Sequence, residues 1–320
     1  MSSHPYGVTA ENIAVIVNTL DPKSVEVGEY YMQARRIPPE HLIKVSFQPG
    51  AKNMKPEAFN AMRNEVITAL TPDIQAMVLV WMTPYMVSCN SITSAMTLGY
   101  DAKQCEKTCA AGTQSQYFDS YSTKPYDDFG IRPTMLLPVE SVEKAKALID
   151  RGVFSSFKMP EGTAYLLSTS DKNRNTRAQF FPHSGRIVSK QLNIRTLQTD
   201  TISDKQDVMF YFTGVSHVPY LNTLTFKPGA VGDHLTSSGG DLLSNVQMSS
   251  MRWLDAGATA SYGSVSEPCN YWQKFPNPTV MMKHYLAGET VIEAYWKSVA
   301  WPAQGLLIGE PLAAPYCQSC

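Results

Sequence analysis

The sequence predicts one α/β domain over residues 1–320, built on a mostly parallel sheet with helices on both faces and carrying a long cysteine-containing insertion at residues 84–135. Three observations point there. Short apolar runs alternate with helical segments in the order β-α-β-α-β as far as Met82. The runs are apolar at nearly every position, the pattern of strands buried on both faces of a parallel sheet. No internal repeat and no linker divides the chain.

The elements follow in order. Asn12-Ile-Ala-Val-Ile-Val-Asn18 reads as a buried strand, being short, β-branched and ended by polar residues. Ser24 opens a helix through Arg36, with Val25, Val27, Tyr31 and Ala34 near one face, and Pro38-Pro39 stops it. Residues 41–47 are a second strand, 55–70 a second helix and 76–82 a third, fully buried strand. Residues 84–135 lose helical periodicity and are rich in Ser, Thr, Tyr, Gly and Cys; loops this long are usually functional or stapled. A short amphipathic helix at 140–151 and buried strands at 163–168 and 208–213 come next. From Gly214 the chain turns glycine-rich, reaching Thr236-Ser-Ser-Gly-Gly240. A helix at 247–256, a strand at 257–263, short helices at 279–286 and 290–296, and a final strand from Gly305 into Gly309-Glu-Pro311 complete the series.

Composition narrows the function. The 320 residues carry 27 Lys+Arg against 28 Asp+Glu, a net charge of −1. Nucleic-acid binding needs a concentrated positive footprint, so no nucleic-acid partner is expected. At 43% hydrophobic and 17% charged, the chain can bury a sizeable core. No run approaches the ~18 apolar residues of a membrane-spanning helix. The residues after Met1 show no basic segment, apolar segment or small-residue cleavage site, so the chain is either cytosolic or a mature form without its leader. The surface richness in Ser, Thr, Asn, Gln and Tyr favours an extracellular or periplasmic location.

Six cysteines, Cys89, Cys105, Cys109, Cys269, Cys317 and Cys320, permit three disulfides. A four-thiolate zinc site and free thiols are the alternatives. The disulfide reading fits best, with a local bridge expected among Cys89, Cys105 and Cys109. There is no P-loop, GxGxxG or HExxH, and neither a metal nor a cofactor is expected. Asp171-Lys-Asn-Arg-Asn175 could start a calcium loop, but Thr176 and Pro182 stand where Gly and Glu are needed.

The C-terminal third carries a specific resemblance. Gln247-Met-Ser-Ser-Met-Arg-Trp-Leu-Asp-Ala-Gly-Ala-Thr-Ala-Ser-Tyr-Gly263, Ser266-Glu-Pro-Cys-Asn270, Lys274-Phe-Pro-Asn-Pro278, Glu293-Ala-Tyr-Trp-Lys-Ser-Val299 and Gly309-Glu-Pro-Leu312 resemble an uncharacterised, exported bacterial family found in exosortase-bearing bacteria. Val17-Asn18, Tyr30-Tyr31 and Arg36-Ile-Pro38 extend the match upstream. That resemblance implies a compartment and no reaction. The order of Gly257-Ala258, Gly288 to Glu293-Ala294 and Gly309-Glu310-Pro311 is similar to the caspase-like fold of gingipain-type cysteine peptidases. In those enzymes one strand ends in His-Gly and the next in the nucleophilic Cys. Here Thr213-Gly214 and Leu235-Thr236 occupy those places, so the resemblance implies the fold without the cysteine–histidine pair.

Other chemistry is conceivable at the same strand ends. Ser237 or Ser238 could serve as nucleophile with His217 or His234 as base, and the Gly239 and Gly240 amides could hold an oxyanion. The bland alternative is a Ser-Ser-Gly-Gly turn that caps the next helix. Glu267, Arg252, Trp272 and Asp241 are the candidate binding residues. Glu267 would lie at a strand end, unless it is paired with Arg252 or Lys274. The cluster Tyr271, Trp272, Phe275, Tyr285, Tyr295, Trp296 and Trp301 could form a platform for sugar or peptide, although large aromatics more often fill a core. Together these features suggest a non-catalytic peptidase-like domain that binds or assembles at the cell surface, as a homo-oligomer or filament joined through a sheet edge. A serine-type hydrolase is the rival.

Overall fold

Ile13–Asn18 forms β1, and all its residues are buried. Successive strand residues point to opposite faces, so complete burial means that both faces are covered. The computed structural model describes residues 7–318. Asn18 closes the turn after β1: its Oδ1 accepts from the Phe47 amide at 3.1 Å and its Nδ2 donates to the Phe47 carbonyl at 2.9 Å. Asp21 caps α1 (Pro22–Arg35), and Arg36, at φ 55°, ends it in the left-handed conformation. Then come β2 (Leu42–Val45), β3 (Asn53–Met54), α2 (Pro56–Ala69) and β4 (Ala76–Val80).

The segment 84–135 is more ordered than its composition implies. It holds β5 (Met86–Val87), β6 (Asn90–Ser91), α3 (Ile92–Leu98), α4 (Ala102–Glu106) and α5 (Pro125–Phe129). Its last residues already belong to β7 (Thr134–Leu137), a fully buried strand of the main sheet. The chain continues through α6 (Val142–Ser155), β8 (Gly162–Ser168), β9 (Gly185–Ile187), β10 (Leu192–Gln198), β11 (Val208–Thr213) and β12 (Phe226–His234). It ends with α7 (Met251–Ala256), β13 (Ala260–Ser264), α8 (Pro278–Leu286), α9 (Val291–Ser298) and β14 (Gly305–Gly309).

The main sheet has 11 strands in the order β2-β1-β4-β7-β14-β13-β12-β11-β8-β10-β9. Neighbours run parallel except at β13–β14 and β9–β10. The sheet is therefore two parallel blocks of opposite direction that meet where β13 and β14 pair. The carboxyl ends of β8, β11, β12 and β13 consequently share one edge, where open α/β sheets place their sites.

Two disulfides pin this frame. Cys89–Cys105 is the expected local bridge, and Cys109–Cys269 ties the inserted segment to the loop after β13. Cys317 is also disulfide-bonded, whereas Cys320 lies outside the described residues. Glu310 of the Gly-Glu-Pro turn is fully buried and clasped by Arg35 at 2.9 and 2.6 Å and by the Tyr31 hydroxyl at 2.7 Å. The turn thus locks α1 to the end of β14 through a two-pronged ion pair. No helix among the described residues is long and apolar enough to cross a membrane.

Candidate functional site

The ends of β11 and β12 are held together by a buried cation. Arg177, in the short turn at Thr176–Phe180, is 1% exposed. It donates to the carbonyls of Thr213 at 2.9 Å, Asp233 at 3.2 Å and Pro276 at 3.2 Å. It also pairs with the Asp233 carboxylate at 2.5 Å, and the Tyr295 hydroxyl donates to that carboxylate at 3.2 Å. Burial pushes the Asp233 carboxyl above its usual pKa, while Arg177 and Tyr295 pull it back. Gly214 follows Thr213 because a Cβ there would sit 1.9 Å from the Arg174 carbonyl.

His234 closes β12 and is completely buried. The Trp253 indole donates to its Nδ1 at 3.0 Å. An indole N–H can only donate, so the ring proton resides on Nε2, which donates to the Met248 carbonyl at 2.9 Å. Burial pushes the imidazole pKa down to about 3. The ring is neutral, and both nitrogens are engaged. The structure thus gives His234 a packing role and leaves it no lone pair for a serine proton. His217 is exposed, and its Nδ1 lies 3.2 Å from the hydroxyl of Ser216.

The Ser-Ser-Gly-Gly segment is organised by a residue that the sequence did not single out. Gln247 Oε1 accepts from Thr236 Oγ1 at 2.8 Å, the Ser238 amide at 2.9 Å and the Ser238 hydroxyl at 3.1 Å. The Gly240 amide donates to the Ser264 carbonyl at 2.8 Å, so it is not open to an oxyanion. A Cβ on Gly240 would come within 2.3 Å of the Gly263 carbonyl oxygen, so glycine is required by the contact with β13. Asp241 accepts from Tyr85 at 2.5 Å and from Lys52 at 2.8 Å, joining this turn to the segment after β4 and to the loop before β3.

Above the turn lies a polar cleft of 150 Å³, lined by Asn173, Arg174, Ser237, Glu267, Cys269 and Asn270 among others. Arg174 Nε donates to Thr236 Oγ1 at 2.8 Å, and its guanidinium pairs with Asp171 at 2.8 Å. Glu267 Oε1 accepts from the Cys269 amide at 2.8 Å. Glu267 also approaches Cys109 and Cys269, but those sulfurs are bonded to each other and offer no thiolate to a metal. The Asp171–Asn175 run folds on itself: Asp171 Oδ1 accepts from the Arg174 amide and Asn175 Oδ1 from the Thr169 amide.

The remaining candidates scatter. Arg252 pairs with Asp255 on α7 at 2.8 Å, and Trp272 packs on Phe180 with ring centres 4.5 Å apart. Lys274 donates to the Thr108 carbonyl at 2.6 Å, and burial lowers its pKa to about 8 despite the opposing effect of Glu267. Phe275, Tyr285, Tyr295 and Trp296 are core, whereas Tyr271, Trp272 and Trp301 are partly exposed. Of the proposed binding residues only Glu267 lines the cleft, alongside Ser237. Sequence reasoning missed Arg174, Arg177 and Gln247. Arg174 lies in the Asp171–Asn175 run, weighed only for its oxygen ligands, Arg177 follows that run two residues on, and Gln247 opens a segment read as helix.

A large, mostly parallel sheet with these connections defines a caspase-like α/β fold. Two solved structures share it. One, described as "Structure of Protease", is 10% identical, with a TM-score of 0.51 over 96% of this chain and 79% of that one. The other is the complex of the pro- and mature domains of Porphyromonas gingivalis RgpB, at 12% identity and a TM-score of 0.51 over 95% of this chain and 79% of that one. No family model matches the sequence, and no curated protein matches it. At such identities the likeness shows the fold alone.

Proposed function

We propose that the chain is an exported, non-catalytic peptidase-like domain that acts in binding or assembly at the cell surface. The observation that supports this most is the separation of hydroxyl and imidazole at the strand ends. The Ser238 hydroxyl is held by Gln247, and both nitrogens of His234 are held by Trp253 and Met248. Acyl transfer by serine needs a base within hydrogen-bond reach of the nucleophile. Cysteine chemistry needs a thiolate, and every described cysteine is in a disulfide. The disulfides also favour an oxidising, extracellular or periplasmic setting and the resemblance to an exported family.

In this reading the strand-end cleft binds and does not cleave. Arg174 and Glu267 give it one positive and one negative wall, suited to a zwitterionic or mixed-charge peptide segment. The outer strands β2 and β9 are the available edges for assembly, with the exposed Val188 directly beyond β9. A hydrolase using Ser237 is the second reading, favoured by one fact: Ser237 lines the cleft, and its hydroxyl makes no hydrogen bond among the described residues. Incubation with casein and a mixed fluorogenic peptide library decides between them. The wild type is expected to match a Ser237→Ala/Ser238→Ala variant at background. Turnover by the wild type that the double variant loses would replace the binding reading with the enzymatic one.

A further inference from the structure

We propose that a second cleft, away from the strand ends, binds a neutral carbohydrate. The cleft encloses 470 Å³ between the end of α3, the start of α4 and the strand-less stretch around residues 113–116. That volume lies in the ~300–1,000 Å³ range of small-ligand sites. Its lining is uncharged except for Asp101, whose carboxylate is committed to capping α4 through the Gln104 amide at 3.0 Å. An anionic ligand would therefore meet no counter-charge, and a cationic one only the single Asp101 carboxylate.

Its polar groups are arranged for a neutral one. Tyr100, Thr113, Gln114 and Gln116 line the cleft, and none of their side chains makes a hydrogen bond within the described residues. A carboxamide presents a donor and an acceptor side by side, the arrangement that matches adjacent sugar hydroxyls. Leu98, 43% exposed, and Tyr100 add an apolar surface on which a sugar ring can rest. The walls are fixed before any ligand arrives. Asn90 accepts from the Asp101 amide at 2.8 Å and donates to its carbonyl at 3.0 Å, and the Cys89–Cys105 disulfide brackets this pairing. On the other side, the Ser115 amide donates to the Ala300 carbonyl at 2.8 Å. Rigid walls with open side chains are what low-cost recognition requires.

A sugar fits better than a peptide strand because the nearest strand edge is closed. β6 pairs with β5 on one side, and the Ser91 amide is taken by the Ala303 carbonyl at 3.0 Å. The site is separate from the strand-end cleft, so its fate does not depend on whether that cleft is catalytic.

Saturation-transfer NMR on the full, oxidised chain tests the proposal with chitotetraose, cellotetraose and maltotetraose as probes. At least one should receive saturation on its ring protons, with a Kd on the order of 1 mM or tighter. Tyr100→Ala and, separately, Gln114→Ala/Gln116→Ala should weaken that probe about tenfold or more. The two glutamines are exposed, so the double variant should melt with the wild type and keep the result interpretable if Tyr100→Ala is less stable. Three silent sugars, or binding that both variants retain, would overturn the assignment. So would transfer to the neutral peptide Gly-Ser-Gly-Ser-Gly, abolished by the glutamine variant, in the absence of sugar binding.

Discussion

His234 shows how one buried side chain can be assigned from chemistry alone. The indole fixes its tautomer, and burial holds its pKa at about 3, well below the usual imidazole value of 6.5. The unfolded chain therefore binds a proton that the folded chain refuses between these pH values. Stability is present in full above pH 6.5 and falls as pH drops through the window toward 3. From pH 7 to pH 5 this residue alone should remove about 2 kcal/mol. Urea titrations at both pH values should show that loss in the wild type and a clearly smaller one in His234→Gln. Equal pH slopes would refute the assignment. Arg177 makes the complementary case. Arg177→Met leaves Asp233 buried without its cation and should cost about 3–5 kcal/mol in the same assay.

At the scale of elements, legibility followed the length of each apolar run. β1, β4, β8 and β11 are continuous, β-branched or aromatic stretches, and each reads as a buried strand before any coordinates are known. β7 spans only Thr134–Leu137 between two prolines, too short for any periodicity to appear. β10 was invisible for another reason. Its residues are only partly buried beside the edge strand β9, so its apolar signal is diluted. The candidate site was half legible. The strand ends could be located, and Ser237 and Glu267 do line a cleft there. The hydrogen-bond partners of Ser238 and His234 are Gln247, Trp253 and Met248, and only folding brings them into contact. Gln247→Ala should loosen the serine turn and cost about 1–3 kcal/mol, since Thr236 and Ser238 lose a shared acceptor. Unchanged stability would mean that the turn holds without it. The Cys109–Cys269 bridge joins the inserted segment to the cleft wall across 160 residues. Replacing both cysteines by serine should lower stability by about 2–4 kcal/mol and expose residues around 107–125 to limited proteolysis.

For the whole molecule, the two opposed parallel blocks explain why one chain offers two unrelated surfaces. The block ending in β11, β12 and β13 places its carboxyl ends at the polar strand-end cleft. The inserted segment, packed near the β14 start, forms the larger neutral cleft. Assembly through β2 or β9 would use strands that line neither cleft. Light scattering should then report a mass above the 35.4 kDa monomer that rises with concentration, and a constant monomer would remove the assembly part of the proposal. The central claim is that the strand-end cleft holds no nucleophile. Intact-mass spectrometry of the oxidised protein after exposure to a fluorophosphonate and to iodoacetamide tests it most directly. Both reagents should leave the mass unmodified. A stoichiometric adduct on Ser237 or Ser238 that disappears in His217→Ala, or alkylation of Cys269 without prior reduction, would contradict it.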